Sequence, residues 1–355
     1  MCSATALVEA QCRAGAEMTR HAEAPTPLHF GDPLGEYKHL ADGVGVVDRG
    51  YRGGIDITGQ DRADWLHNLT TNHIKDVPTN QARYLFACNV KGRIIFDAVA
   101  GVLADRIVLD LDRRGVGLAI KHLDKYVISE DVTLADHSDS VARLALVGGG
   151  HHALLAGDGS GPVLTFKPMD IHGVEVGVLR HDFCGLPSAE LFVPIESAVS
   201  VWQGLLDEGI KPVGLESVQW RRIETGVPWS GQEIDDQVLP AETGQVARAV
   251  SFDKGCYLGQ EVVERMRAHG SLARKLVGLV GADASALCAG ARLEHDGAAV
   301  GRVTSACVSP AMDRPIGLGY VRTALAKAGS KLTVHSDEGG QAEVEVAGLP
   351  FDVGR

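Results

Sequence analysis

The feature that most constrains the fold is a change in sequence pattern after Ala268. Beyond this residue, short stretches of alternating apolar and polar residues are separated by tight turns such as Asp296-Gly297 and Gly339-Gly340. Six strands are predicted, over residues 272–280, 291–295, 298–308, 316–321, 331–335 and 341–347. Because closure removes the exposed edges of such strands, we predict a small C-terminal β-barrel domain over residues 271–355.

The chain before this point mixes strands with single helices. Period-two alternation and 3.6-residue spacing identify these elements without the strict strand–helix alternation of a doubly wound sheet, so we predict an α+β domain over residues 28–270. The predicted strands cover residues 54–59, 82–88, 93–103, 106–111, 141–147, 174–180 and 189–194, and the predicted helices cover 33–41, 60–69, 115–128, 151–156, 195–206 and 215–225. Residues 1–27 are Ala-rich and polar, which predicts a disordered tail rather than a secretory signal.

Composition and charge exclude several classes of function. The chain has 355 residues, 45% hydrophobic and 23% charged, as expected of a soluble globular protein with two domains. Its net charge of −12 argues against direct binding to nucleic acid or to a membrane surface, and no apolar run is long enough to span a bilayer. Seven scattered cysteines without a CxxC pair predict no disulfide framework and no metal site, and they fit the reducing cytoplasm.

A glycine-containing loop that leads into an amphipathic helical pattern carries the most reactive residue types. The loop contains Lys254, Cys256 and Tyr257. If the helix begins near Gly259, its unpaired N–H groups and the positive end of its dipole face the thiol, and together with Lys254 they favour the thiolate. The alternative is that Cys256 is a small buried apolar residue, as most free cysteines are. The loop sequence leaves both interpretations open.

Three further groups place ionisable residues where water is scarce. Asp97 lies in an apolar strand and would be desolvated unless paired, and Tyr84 lies on the strand before it. Glu190 opens a second apolar strand, and Arg222 lies near the end of a helix. Each residue taken singly is expected to be structural. An inward carboxylate is nevertheless suited to a planar ligand with adjacent N–H donors, because it accepts two hydrogen bonds at once.

Taken in this order, the motifs around residues 84–97, 185–193, 221–228, 239–242 and 254–261 resemble the folate-binding superfamily of the glycine-cleavage T-protein, or aminomethyltransferase, over about residues 30–350. The segment 254–261, KGCYLGQE, looks like the signature of the YgfZ-type branch, which is implicated in iron–sulfur cluster maintenance and tRNA modification. The resemblance implies a ring-like fold with a central folate channel and a C-terminal barrel. It also implies tetrahydrofolate or a one-carbon derivative as cofactor, and it suggests iron–sulfur assembly proteins as partners.

The resemblance also implies roles for particular residues. Glu190 would hold the pterin ring through its N–H edge, Tyr84 would line the channel, and Arg222 would face the glutamate tail. The candidate cofactor-binding residues are Tyr84, Asp97, Glu190, Arg222 and Tyr257, and the candidate catalytic residues are Cys256, Lys254 and Asp97.

Two departures from the transferase pattern bear on the reaction. The enzymes carry two adjacent acids where this chain has Phe96 and Asp97, and the turn Asp48-Arg49-Gly50 lacks their Ser-His. Loss of one acid from a proton-transfer site removes much of a contribution of roughly 10²–10⁴-fold. These departures favour a folate-binding protein of cluster maintenance. The alternatives are an aminomethyltransferase or related demethylating enzyme with Asp97 as its acid, and a structural partner of a larger complex that has lost folate binding.

Overall fold

The computed structural model describes residues 2–148, 164–269, 272–337 and 339–353. The α-helices are α1 (Cys2–Arg13), α2 (Pro33–Asp42), α3 (Arg62–Leu69), α4 (Val116–Leu123), α5 (Ala198–Asp207), α6 (Leu215–Thr225), α7 (Val246–Ala249) and α8 (Gln260–His269). Short 3₁₀-helices cover Arg113–Gly115, Asp124–Tyr126, Ile195–Ser197, Pro240–Glu242 and Thr323–Leu325. None of the helices within the described ranges is both long and apolar enough to cross a bilayer.

The strands before the barrel are β1 (Glu17–His21), β2 (Ala24–His29), β3 (Gly45–Asp48), β4 (Arg52–Thr58), β5 (Gln81–Cys88), β6 (Ile94–Val102), β7 (Ile107–Asp112), β8 (Thr133–Asp136), β9 (Val141–Val147), β10 (Thr165–Ile171), β11 (Val174–His181), β12 (Ser188–Pro194) and β13 (Lys211–Val213). The barrel strands are β14 (Arg274–Gly281), β15 (Arg292–His295), β16 (Ala298–Ser309), β17 (Arg314–Arg322), β18 (Lys331–His335) and β19 (Gln341–Ala347).

Among the described residues, β3 to β13 form one sheet in the order β13-β3-β9-β12-β11-β10-β5-β6-β7-β4-β8. Its neighbours pair antiparallel except for the parallel pair β13 and β3. The two halves of the sheet meet at β10 and β5, whose ladder contains the single residue pair Thr165 and Gln81. Residues from the ends of strands in both halves therefore come together near this junction.

Each half of the sheet has its own apolar core. In one half, α3 and α4 pack on β4 to β7, with Leu66 and Leu109 fully buried. In the other half, α1 and α5 pack on β9, β11 and β12, with Leu144 and Trp202 buried. Because these cores are separate, each half is packed independently, and polar side chains can be placed between the two.

The N-terminal segment differs from its predicted disorder. Residues 2–13 form α1, and β1 pairs with β2 across a turn at Ala22 and Glu23, both of which have positive φ. Leu7 is buried against the second core, and Gln11 is buried and donates to Asp48. Composition alone did not reveal this order, because the few apolar residues of the segment become buried only against the folded sheet.

The C-terminal strands close into a barrel in the order β14-β17-β16-β15-β18-β19. The predicted six-strand barrel and the α+β class are thus confirmed. The strands and helices predicted for the first domain are present within the described ranges, except that the helix predicted over residues 115–128 ends at Leu123 and is followed by a 3₁₀-helix, while β1, β2, β3, β8, β10 and β13 were not predicted. The helix predicted over residues 151–156 lies outside the described residues. The barrel is fastened to α6 by buried polar contacts, since Arg222 donates to Ser305 on β16 at 2.7 Å and Glu224 accepts from Ser309.

Candidate functional site

A cavity lies where β5 and β6 meet the β3–β4 turn, the end of β11 and the loop after α6. Four aromatic side chains and several charged groups face it. The residues that line it include His21, Arg49, Tyr51, Arg52, Tyr84, Asp97, Val99, Asp112, His181, Asp182, Phe183, Trp229, Ser230, Gln245 and Arg248. The lining combines flat apolar surfaces with converging polar atoms, as the linings of small-molecule sites do.

Asp97 is the buried carboxyl of this cavity. Its Oδ2 accepts a hydrogen bond from the Tyr84 hydroxyl at 2.9 Å, and its Oδ1 accepts from the Ser230 hydroxyl. Burial raises the pKa of Asp97, although the charge of Arg52 and both hydroxyl donors oppose this. Burial and the adjacent carboxylate raise the pKa of Tyr84 well above its ordinary value. The arrangement orients one carboxyl group that can take up and release a proton at a ligand atom.

The neighbouring position, Phe96, faces the opposite side of the sheet. Phe96 packs with Ala98 and Ala100 in the apolar core of its half, while Asp97 and Val99 line the cavity. This is the ordinary two-residue alternation of a strand. An acid in place of Phe96 would therefore not have added a carboxylate to the cavity. Phe96 therefore takes no carboxylate away from this cavity, and the prediction that it weakens proton transfer there is wrong.

Glu190 lies behind the wall of the cavity, where it contacts Arg49 and His181. It is fully buried, forms an ion pair with Arg49 and lies 3.1 Å from His181 Nε2. Burial alone would raise the pKa of Glu190, but the charge of Arg49 and the contact with His181 keep it below its ordinary value. Burial lowers the pKa of His181. The side chains at the cavity surface are Arg49 and His181, and the second carboxylate oxygen of Glu190 has no hydrogen-bond partner among the described residues.

Aromatic rings form one wall of the cavity. The Arg49 guanidinium lies 3.7 Å from the centroid of the Phe183 ring, and the indole of Trp229 donates to the Phe183 carbonyl at 2.9 Å. Tyr51 packs against Trp229 with ring centroids 5.7 Å apart, and His21 from β1 meets the edge of Tyr51 at 4.9 Å. These contacts fix several flat surfaces around the space, so the wall suits a planar ligand.

A third arginine lies at the partly exposed side of the cavity. Arg248 on α7 forms an ion pair of 2.8 Å with Asp182, and its guanidinium lies 5.7 Å from the centroid of the Tyr84 ring. Both members of this pair are more than a third exposed. An exposed pair contributes little to stability, so Arg248 is free to exchange its partner for an anionic ligand group.

Other predicted site residues lie away from this cavity. Arg222 is fully buried and binds Glu233 at 2.7 Å and Ser305 at 2.7 Å, which makes it a tie between α6 and the barrel. Lys254 is also buried, and its ammonium donates to the carbonyls of His67, Thr70 and Asn72. Because an ammonium has three N–H groups, none is left for the thiol that Lys254 was predicted to activate. Burial lowers the pKa of Lys254 to about 8.

The two remaining loop residues differ in exposure. Cys256 is an exposed free thiol, so the alternative that it is a buried apolar residue is wrong. Tyr257 is buried beneath the loop, with Lys254 5.1 Å from its ring centroid, and it does not line the cavity around Asp97. The helix α8 begins at Gln260, one residue after Gly259 with its positive φ, as the sequence predicted.

Several cavity residues were missed by the sequence analysis. Arg49, His181, Trp229 and Ser230 carry no motif of their own, and His181 and Arg49 are separated by 132 residues. The sequence did carry one local indication of Arg49. This residue lies in the turn between two apolar strands, where a charged side chain is expected to need a buried partner. No group of three His, Cys, Asp or Glu side chains suited to a metal ion occurs within the described residues.

Comparison with known proteins gives consistent matches over nearly the whole chain. The family model of the GCVT N-terminal domain matches residues 7–254, and that of the glycine cleavage T-protein C-terminal barrel domain matches residues 274–352. An aminomethyltransferase of Caldanaerobacter subterraneus subsp. tengcongensis is 28% identical over 93% of this chain and 91% of its own length. One of Streptomyces coelicolor is 29% identical over 98% of this chain and 96% of its own.

A solved structure shares the fold. The crystal structure of glycine cleavage system aminomethyltransferase T from Bartonella henselae matches with a TM-score of 0.86 and 24% identity, covering 97% of this chain and 96% of that chain. The fold, with its sheet and C-terminal barrel, is therefore common to both proteins.

Proposed function

This chain belongs to the glycine-cleavage T-protein family, and we propose that it binds a reduced folate in the cavity around Asp97 and transfers a one-carbon unit there from an aminomethyl donor. The observation that carries this proposal is the buried Asp97 carboxyl, which faces the cavity and is held by Tyr84 and Ser230. The relatives named aminomethyltransferase support the same activity.

Three features of the cavity lining support folate binding. Tyr51, Phe183 and Trp229 offer flat surfaces for a pterin ring. Arg49 lines the cavity, and its Nε is a buried donor without a partner in the described structure, so it complements a carbonyl group of a pterin edge, while Glu190 behind the wall holds Arg49 in place. Arg248 provides a cation at the exposed side, where a glutamate tail would leave. In this proposal Glu190 acts on the ring through Arg49, which it holds by an ion pair, and Arg222 takes no part.

The residues of this chain would act as follows. A bound tetrahydrofolate supplies the nitrogen nucleophile that accepts the one-carbon unit. Asp97 exchanges a proton with the reacting nitrogen, and its raised pKa keeps part of the carboxyl protonated closer to neutral pH. Tyr84 and Ser230 fix the orientation of that carboxyl, while the aromatic wall limits access of water.

The test separates binding from turnover. Calorimetric titration with 5-formyl-tetrahydrofolate is expected to show binding by the wild type and, within a few-fold, by Asp97→Asn. Formation of methylene-tetrahydrofolate from an aminomethyl donor is expected to fall roughly 10²–10⁴-fold in Asp97→Asn. The control is Asp105→Asn, because this carboxylate is 68% exposed on the surface. Equal turnover in Asp97→Asn and wild type, or absence of turnover in the wild type, contradicts the proposed transfer.

One observation favours a second function, in iron–sulfur cluster maintenance and tRNA modification. Cys256 is exposed in the KGCYLGQE loop, away from the carboxyl that would serve one-carbon transfer. One thiolate cannot hold a cluster, so this function requires iron–sulfur assembly proteins as partners. Cys256→Ser is expected to keep folate affinity but lower the activity of iron–sulfur enzymes in cells. Cys12→Ser, which removes another exposed thiol, is the control, and full activity with Cys256→Ser rejects this function.

A further inference from the structure

The N-terminal hairpin of β1 and β2 contributes His21 to the wall of the cavity around Asp97. His21 ends β1 and lies opposite Ala24 in the hairpin. Its ring contacts that of Tyr51 at a centroid distance of 4.9 Å and an interplanar angle of 87°, and it lies 6.1 Å from that of Trp229. His21 thus lies among the aromatic rings that are proposed to hold the folate, although the proposed one-carbon transfer gives it no role.

The turn of this hairpin is fixed next to the cavity. Ala22 and Glu23 form the turn with φ values of 44° and 67°, which residues other than glycine adopt at a cost in free energy. Such a backbone conformation persists only where the surrounding packing holds it. Here Ala22 and Ala24 are buried in one cluster with Tyr51, whose ring lines the cavity. The position of His21 between these two alanines is therefore determined by packing.

The imidazole of His21 has a hydrogen-bonding capacity that the protein does not use. Within the described residues neither ring nitrogen of His21 has a hydrogen-bond partner, and neither belongs to the unpaired polar atoms that are sealed from solvent. The contact with Tyr51 requires a ring but not its nitrogens. Because a neutral imidazole has one N–H donor and one nitrogen acceptor, both are available to a ligand in the cavity.

The surroundings of His21 favour the neutral imidazole. Burial and the charge of Arg114 lower the pKa of His21 below 6.5. The charge of Asp112 opposes this shift, and the charge of Arg222 adds to it. At neutral pH the ring therefore presents a donor and an acceptor, whereas an imidazolium would present two donors. Such a group suits the edge of a pterin ring, which carries both N–H donors and oxygen or nitrogen acceptors.

We propose that His21 is a ligand-binding residue of this cavity and that its imidazole forms a hydrogen bond with the edge of the pterin ring. This inference rests on the proposed folate binding. A planar ligand stacked on Tyr51 lies nearly perpendicular to the imidazole, so the two rings meet by an edge and do not stack. His21 then adds a polar contact to the one that Arg49 offers. The N-terminal hairpin is thereby part of the folate site.

The first test is calorimetric titration of the full chain with 5-formyl-tetrahydrofolate. His21→Phe keeps a flat ring beside Tyr51 but removes both nitrogens, and it is expected to weaken binding roughly 3–10-fold, as the loss of one hydrogen bond does. His21→Gln provides a donor and an acceptor again and is expected to recover part of this loss. The control His29→Phe makes the same replacement in β2, at a residue that does not line the cavity, and is expected to bind as the wild type does.

The second test is a crystal structure of the wild type with 5-formyl-tetrahydrofolate. A ring nitrogen of His21 is expected within about 3.2 Å of a nitrogen or oxygen atom of the pterin. A His21 ring that lies farther from the pterin, or that contacts only the glutamate tail, overturns the proposal. If His21→Phe does not fold, this structure and the affinity of His21→Gln relative to the wild type still decide.

The outcomes separate this inference from the proposed function. Equal folate affinity of folded His21→Phe and wild type refutes the role of His21, while the proposed folate binding stands. An equal loss of affinity in His21→Phe and His29→Phe shows a general effect of the hairpin and also refutes that role. If the wild type binds no folate, the proposed function fails, and this inference fails with it.

Discussion

Replacing Asp48 with asparagine is expected to stabilise this protein at neutral pH. Asp48 ends β3 and is 6% exposed, and burial raises its pKa from 3.8 to about 6, although Gln11 and the Gly50 N–H donate to it. Since the folded protein holds this proton more tightly than the unfolded chain, ionisation between these pH values lowers stability. The stability contributed by the protonated carboxyl is therefore complete below about pH 4 and is lost as the pH rises through about 6.

The magnitude follows from the pKa and the local contacts. One pKa unit corresponds to about 1.4 kcal/mol, so a rise from 3.8 to about 6 means that ionised Asp48 costs the folded state about 3 kcal/mol. Asparagine keeps the acceptor for the Gly50 N–H and removes the charge. Its new amide can donate to Gln11 Oε1, which has no partner in the described structure, once the Gln11 amide turns over.

The assay is urea unfolding followed by tryptophan fluorescence between pH 4 and pH 8. Asp48→Asn is expected to raise the free energy of unfolding by up to about 3 kcal/mol at pH 7.5, with a difference close to zero at pH 4. Asp105→Asn, at an exposed position, controls for the change in net charge. A variant that is less stable than wild type at pH 7.5, or equally shifted at both pH values, refutes the reasoning.

Three further predictions concern the cavity and the buried polar contacts of Lys254 and Arg222. Tyr84→Phe removes a hydrogen-bond donor to Asp97 and is therefore expected to raise the pKa of Asp97 further. The pH–rate profile of one-carbon transfer is then expected to move to higher pH, and an unchanged profile contradicts this. Lys254→Met is expected to lower the free energy of unfolding by about 2–4 kcal/mol, because buried carbonyls lose their donor. The control Lys275→Met, at an exposed position, is expected to change the free energy of unfolding by less than about 0.5 kcal/mol. Equal effects of the two substitutions contradict the prediction. Arg222→Met leaves the buried Glu233 carboxylate without its cation. It is expected to lower the free energy of unfolding in urea by about 3–5 kcal/mol without changing the folate affinity of the folded protein. A selective loss of folate affinity would place Arg222 in the site.

The local sequence pattern already indicated that Asp97 was a candidate site residue. An acid within an apolar strand had to be paired or functional, and the Tyr84 strand beside it follows from the hairpin. The two-residue period of the strand also implies that Phe96 faces away from Asp97. The tertiary structure shows that this opposite face is the apolar core of one half of the sheet. The family was predicted from ordered motifs spread over both domains.

The N-terminal segment shows why other features could not be predicted. Its apolar residues, such as Leu7, are too few to mark a helix by periodicity, and they are buried only in the folded core that α1 shares with α5, β9 and β12. The same holds for Lys254, whose buried ammonium depends on carbonyls more than 180 residues earlier in the chain.

The sequence by itself determined many of the strands and helices, the α+β class, the C-terminal barrel and the family, because strand alternation, helix spacing and turn chemistry are set by near neighbours. Only the tertiary structure decided which charges meet. Arg49 reaches Glu190 across 141 residues, and Ser230 reaches Asp97 across 133. Such pairs are selected by the desolvation cost of each buried charge, which exists only after the sheet halves have packed.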